Sequence, residues 1–203
     1  MASRFFAGCW ENLSQRFESK EIRAARAALV GDLTGDVLEV GAGAGANFPF
    51  YGAGARVTAT DYSPHMLERA QRAAVGHDAI VAVEFADAQK LAFPDDHFDH
   101  AVATLVFCSV PDAEAGLREI LRVTKPGGAV RLLEHTRADG TTGRRVQNLL
   151  TPAWRRLFDG CHLNRETVAV VATSGLTLED VEGLSAMRSL LNMHAIRARV
   201  PGG

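Results

Sequence analysis

The residues best equipped for chemistry begin with a glycine-rich run, Gly41-Ala42-Gly43-Ala44-Gly45-Ala46, directly after the short apolar stretch Val37-Leu38-Glu39-Val40. Glycine accepts positive φ and has no Cβ to obstruct a ligand approaching the backbone. At the carboxyl end of a strand, such a loop is where open α/β sheets bind nucleotides. The run satisfies both GxGxG and the dinucleotide pattern GxGxxA, so alone it does not select a cofactor. Asp61 follows at the offset of about 20 residues expected for an acid that accepts two hydrogen bonds from a ribose cis-diol. A second acid, in Ala86-Asp87-Ala88, is placed to accept a bond from an adenine amino group. His135, after Glu134, titrates near neutrality and is the candidate general base. The other reading of His135 is a polar residue closing a strand.

The elements that must position these residues follow from hydrophobic period. The first 34 residues read as two helices; in the second, Ile22, Ala25, Leu29 and Leu33 recur at helical spacing, with Glu21 in its first turn. Strands are expected at 37–40, 56–60, 80–85, 98–107 and 129–134. Helices are expected at 63–74, with Ser63 as cap and Pro64 at the first position, and at 112–124, halted by Pro126-Gly127-Gly128. The 98–107 segment is apolar enough to be buried on both faces. Strand and helix alternate from 36 to 135, which calls for a parallel sheet covered on both faces. After helices near 143–150 and 165–174, the strand-like segments 176–181 and 190–200 have no helix between them and suggest a closing antiparallel hairpin.

Together the run 37–45, Asp61, Asp87-Ala88, Phe98-Asp99 and Leu121-Arg122-Val123-Thr124-Lys125-Pro126-Gly127-Gly128 resemble, in order and spacing, the motifs of class I S-adenosylmethionine (SAM)-dependent methyltransferases. The resemblance implies a Rossmann-like α/β fold with a seven-stranded, mostly parallel sheet, helices on both faces and a C-terminal antiparallel hairpin. It implies SAM as cofactor. Gly41, Ala42, Gly43 and Gly45 would lie under its methionine part and Glu39 would hold its amino group. Asp61 would take the ribose, and Asp87 with Ala88 the adenine. Tyr62 and Met66 would line the adenine–ribose side, and Thr104 and Leu105 would border the sulfonium. Glu39 could instead be a strand acid held by loop amides.

The segment 148–166, together with Thr104–Val110 and Glu134-His135, is similar to the animal alkyl-thiol S-methyltransferases and their bacterial relatives of the ubiquinone-biosynthesis type. There this region covers the substrate pocket. The resemblance places Cys108, Ser109, Trp154 and Phe158 on the acceptor side, and Trp10 where relatives set a tyrosine against SAM. Trp154 and Phe158, four apart, share a helical face; with Phe5, Phe6 and Trp10 they could form an aromatic lid or simply be core. Cys108 reads more readily as a small buried residue than as a nucleophile. Arg155, Arg156 and Arg165 could attract an anionic acceptor or line a solvated helix face.

Bulk properties bound these readings. The 203 residues suit one domain: a helical cap at 1–34, a SAM-binding core at 35–135, and substrate-side helices with the hairpin at 136–203. With 47% apolar and 23% charged residues and a net charge of −2, the chain is an ordinary globular one without a nucleic-acid groove. The longest apolar stretch, 101–107, falls far short of the roughly 20 residues needed to span a bilayer. Neither a signal peptide nor the apolar N-terminal anchor of the animal enzymes is expected. The cysteines Cys9, Cys108 and Cys161 show no CxxC or Cys/His ligand spacing, so no metal or disulfide framework is expected, and a cytoplasmic setting is. The function expected is SAM-dependent methylation of a small molecule at oxygen, sulfur or nitrogen, by a monomer or homodimer. A nicotinamide-dependent oxidoreductase and a noncatalytic SAM-binding protein are the alternatives.

Overall fold

A computed structural model of the chain describes residues 18–158, 160–184 and 192–202. Phe5, Phe6, Cys9 and Trp10 lie outside the described residues, as does the first of the two helices expected before residue 35.

Helix α1 spans Lys20–Val30, opened by Ser19, whose hydroxyl accepts from Ile22 N–H, and buries Ile22, Leu29 and Val30. It ends before Leu33, which packs into the same core from the following turn. Strands β1 (Gly35–Val40) and β2 (Ala55–Asp61) lead to α2 (Pro64–Ala74), capped by Ser63 as expected. Strand β3 (Ile80–Phe85) and strand β4 (Phe98–Thr104) follow, then α3 (Ala113–Val123), capped by Asp112, and β5 (Thr124–His135). Helix α4 (Thr141–Leu157) is twice the expected length and carries Trp154; α5 is Thr167–Thr173. The hairpin is β6 (Thr177–Gly183) and β7 (Met193–Arg199).

The sheet order is β3-β2-β1-β4-β5-β7-β6. β1 through β5 are parallel, and β7 runs antiparallel to both β5 and β6. Successive side chains of a strand face opposite ways, so Val37 joins the core under α1 and α2 while Leu38 joins the core under α3 and α5. Strand order reverses between β1 and β4, and the crevice outside the carboxyl ends of that pair is the expected ligand position in such sheets. β4 stops at Thr104, three residues earlier than apolarity suggests, because Leu105 turns into left-handed backbone at φ 60°. A hydrophobic run cannot reveal that break.

Candidate functional site

The three loop glycines have different reasons to be glycine. All have positive φ: 66° at Gly41, 58° at Gly43 and 82° at Gly45. A Cβ on Gly41 would come within 2.4 Å of Val106, and one on Gly45 within 2.6 Å of the Phe48 ring. A Cβ on Gly43 would meet nothing within 4 Å, so its bare face looks onto open space. Asp61 shapes the loop: Oδ2 accepts from Gly43 N–H at 2.9 Å and Oδ1 from Ser63 N–H at 2.8 Å. Each carboxylate oxygen has a second lone pair. Met66 is buried, whereas Tyr62 is half exposed and leans on Phe85 with ring centroids 5.4 Å apart. Asp87 accepts from the backbone and side-chain amides of Gln89, beside buried Ala88.

Glu39 sits in a buried polar network that sequence reasoning did not foresee. Its Oε1 accepts from Asn47 Nδ2 at 3.0 Å and its Oε2 from Tyr51 Oη at 2.8 Å. Arg26, nearly fully buried, donates to Asn47 Oδ1 at 2.9 Å, to Thr104 Oγ1 at 2.7 Å and to Glu18 at 2.6 Å. Burial raises the Glu39 carboxyl to about 7, against the pull of Tyr51, Asn47 and Arg26. Neither Asn47 nor Tyr51 belongs to a recognisable motif. The one available signal was an arginine on the apolar side of α1, three residues before Leu29. Glu39 is thus held by side chains rather than by loop amides.

The second half of the site is the turn after β4. Leu105 N–H bonds to Leu133 O at 2.7 Å, and the chain then folds back over Glu134. Glu134 Oε1 accepts from Val106 and Phe107 N–H at 2.8 and 2.9 Å, and Oε2 from Cys108 N–H at 3.1 Å. Desolvation raises this carboxyl to about 7 even with three amide donors. The carbonyls of the turn are tied too: Arg165 donates to Phe107 O and Val110 O, and His162 N–H to Cys108 O. Arg165 therefore fastens a turn, rather than attracting an anion or lining a solvated face. Its directional fork of donors suits it to hold two carbonyls at once. Because Val106 touches Gly41, this turn is packed directly against the glycine loop.

Cys108, His135 and Cys161 converge beside that turn, all buried, with one ligand-capable atom each inside 4.8 Å of the others. Cys161 Sγ lies 3.5 Å from His135 Nδ1. Both cysteines are free. The Cys161 thiol is lowered, first by hydrogen bonding with Cys108 and next with His135, and the Cys108 thiol is correspondingly raised. Trp154 Nε1 is buried without an acceptor at normal range and lies near enough to Cys161 to favour its thiolate. Spacing in the sequence suggests no metal-ligand set, and the three residues together are a group that could hold an ion. The three residues come from the end of β4, the end of β5 and the loop after α4, so they share no local pattern. Cys108 is buried, as expected, but it has reactive neighbours. Trp154 stacks on Phe158 at 3.9 Å between centroids, and Ser109 lies 3.7 Å from Cys108 Sγ.

Residues 38–132 match the family model described as a methyltransferase domain. The human thiol S-methyltransferase TMT1A is 41% identical over 137 residues, covering 64% of this chain and 55% of that protein. The human thiol S-methyltransferase TMT1B is 31% identical over 185 residues, covering 79% of this chain and 75% of its own length. The matched stretch is thus little more than half of the first relative. Among solved structures, geranyl diphosphate methyltransferase in complex with SAM superposes with a TM-score of 0.73 at 14% identity, over 98% of this chain and 91% of that one. Among the described residues, no helix is long and apolar enough to cross a membrane.

Proposed function

The chain belongs to the class I SAM-dependent methyltransferases, near the thiol S-methyltransferase group, and from that premise we propose that it methylates a small-molecule acceptor, with sulfur the favoured atom. The carrying observation is the open face of Gly43, whose N–H is held by the Asp61 carboxylate, together with the buried Glu39 carboxylate, which receives one donor on each oxygen. SAM fits that cradle: its ammonium group answers a buried carboxylate with two filled and two open lone-pair positions, and its ribose diol answers Asp61. Gly41, Ala42 and Gly45 shape the loop beneath the methionine part. Tyr62 and Met66 flank the ribose and adenine, Asp87 and Ala88 receive the adenine, and Thr104 and Leu105 border the reacting centre.

SAM supplies an activated methyl: the bond from carbon to acceptor forms as the bond to the sulfonium breaks, and the electron pair leaves with the thioether. The protein's part is alignment and exclusion of water. The Leu105 backbone is held out of the favoured regions by its bond to Leu133 O and by the tied turn after it, the kind of local strain that concentrates at working sites. His135, Cys108, Ser109, Trp154 and Phe158 form the acceptor side, with His135 the group that would take a proton from an acceptor. α1 contributes Arg26 to the cofactor side, which supports reading the N-terminal helical segment as a cap over the 35–135 core. Two free buried cysteines fit a reducing, cytoplasmic setting. The nicotinamide alternative gains nothing from the reversed β7 or from the relatives.

Calorimetric titration with SAM and with S-adenosylhomocysteine tests this reading. Both should bind, and Asp61→Ala should weaken each by more than about tenfold, as expected for losing hydrogen bonds from a charged acceptor. Affinity unchanged in Asp61→Ala would remove the proposed cofactor site.

A further inference from the structure

We propose that Cys108, His135 and Cys161 are the three protein ligands of a zinc site beside the cofactor crevice, with the fourth coordination position available to the acceptor. Zinc takes thiolate sulfur at about 2.3 Å and imidazole nitrogen at about 2.0–2.1 Å in a tetrahedral arrangement. Those lengths set sulfur and nitrogen ligands about 3.5 Å apart and two sulfurs about 3.8 Å apart. Cys161 Sγ and His135 Nδ1 stand 3.5 Å apart, and the whole set lies within 4.8 Å. The backbone around Cys108, His135 and Cys161 is tied by hydrogen bonds, so side-chain rotation is the adjustment that binding would call for.

That fixing is the second observation. Cys108 is held through its N–H by Glu134 and through its carbonyl by His162 N–H. The His135 carbonyl accepts from Thr167 Oγ1 at 3.3 Å. These bonds fix the main chain from which the Cys108 thiol and the His135 ring project. The donor set is also selective. Two sulfurs and one imidazole suit zinc over magnesium or calcium, and three protein ligands with one open position is the catalytic rather than the structural arrangement.

Binding would be balanced by proton release: the metal replaces the thiol protons of Cys108 and Cys161, and the metal keeps its oxidation state throughout. An acceptor thiol entering the fourth position would lose its proton to solvent and present a thiolate, the nucleophilic form. With metal bound, His135 therefore serves as a ligand, and the metal takes over the activation of the acceptor given to His135 in the metal-free reading. This last step rests on the proposed methyl transfer; the metal site does not.

The test is elemental analysis of the full chain purified from zinc-supplemented medium, with Co(II) substitution read by absorption. Expected are one zinc per chain, tetrahedral Co(II) bands and a thiolate-to-Co(II) charge-transfer band. The Cys108→Ser/Cys161→Ser double variant should hold less than about a tenth of the wild-type metal, and His135→Asn should weaken retention against a chelator. S-adenosylhomocysteine binding, measured in parallel, should persist in these variants and reports separately on the cofactor site. Should the variants fail to fold, the wild-type Co(II) spectrum decides. Wild-type protein that takes up neither zinc nor Co(II), Co(II) bands without charge transfer, or a Cys108–Cys161 disulfide in place of metal would each overturn the proposal.

Discussion

Glu39 at the end of β1 and Glu134 at the end of β5 are equally buried carboxylates, both raised by desolvation to about 7, yet they hold different kinds of partner. Glu134 receives three successive backbone N–H groups, two on one oxygen and one on the other. Glu39 receives one side-chain donor on each oxygen. The first is close to saturated and acts as the internal cap of a turn. The second receives one donor on each oxygen and keeps acceptor capacity for the ammonium group proposed for it. Burial alone therefore does not distinguish a structural carboxylate from a binding one; the count and origin of donors does.

Removing each carboxylate in turn separates the two roles most directly. Glu134→Ala leaves three buried amides without acceptors, and at about 1–3 kcal/mol for each unsatisfied group the loss should be on the order of 3 kcal/mol or more by urea denaturation. If Glu134→Ala proves milder than the same change at Glu39, the assignment of roles is reversed. Glu39→Gln should leave the denaturation midpoint nearly in place at pH 5.5, where the buried carboxyl is protonated, and weaken S-adenosylhomocysteine by roughly tenfold to a hundredfold, the range expected for a charge-assisted bond to an ammonium group. Calorimetry on the variant reads this directly.

Acidity sharpens the same contrast. Both carboxyls are raised above their unfolded values, so the folded chain keeps protons that the unfolded chain has released between about 4.5 and 7. Their contribution to stability is then complete below the unfolded value and is lost as pH rises through about 7, by about 1.4 kcal/mol for each unit of the raise. Urea denaturation at pH 5.5 and 8 should show the decline, and Glu39→Gln should flatten part of it. A slope unchanged in that variant would mean the Glu39 carboxyl is not raised. S-adenosylhomocysteine binding near pH 7 should also release protons from Glu39, seen as a dependence of the calorimetric heat on buffer.

The smallest effect on folding separates the loop glycines. Gly43→Ala should cost about 1–2 kcal/mol, for its positive φ alone, while reducing cofactor affinity far more. Gly41→Ala, which drives a methyl into Val106, should cost more stability. Equal effects of the two on folding would deny that Gly43 faces a ligand.

The sheet, the glycine loop and the positions of Asp61 and Asp87 at strand ends were legible because each rests on local signals: period, caps, turn residues and fixed offsets along neighbouring strands. The C-terminal hairpin was legible for the same reason, since two strand patterns with no intervening helix leave little choice of connection. Tertiary structure alone decided the rest. Asn47 and Tyr51 reach Glu39 from the loop after β1, Arg26 reaches it through Asn47 from a helix, and Glu134 finds its three amides 26 to 28 residues away. Cys108, His135 and Cys161 have no shared spacing and meet only because β4 and β5 end side by side and the loop after α4 returns over them. Sequence period reports which face a residue lies on. Which residues from different elements share a buried space is settled by sheet order and helix return, and that is where this site's polar chemistry is made.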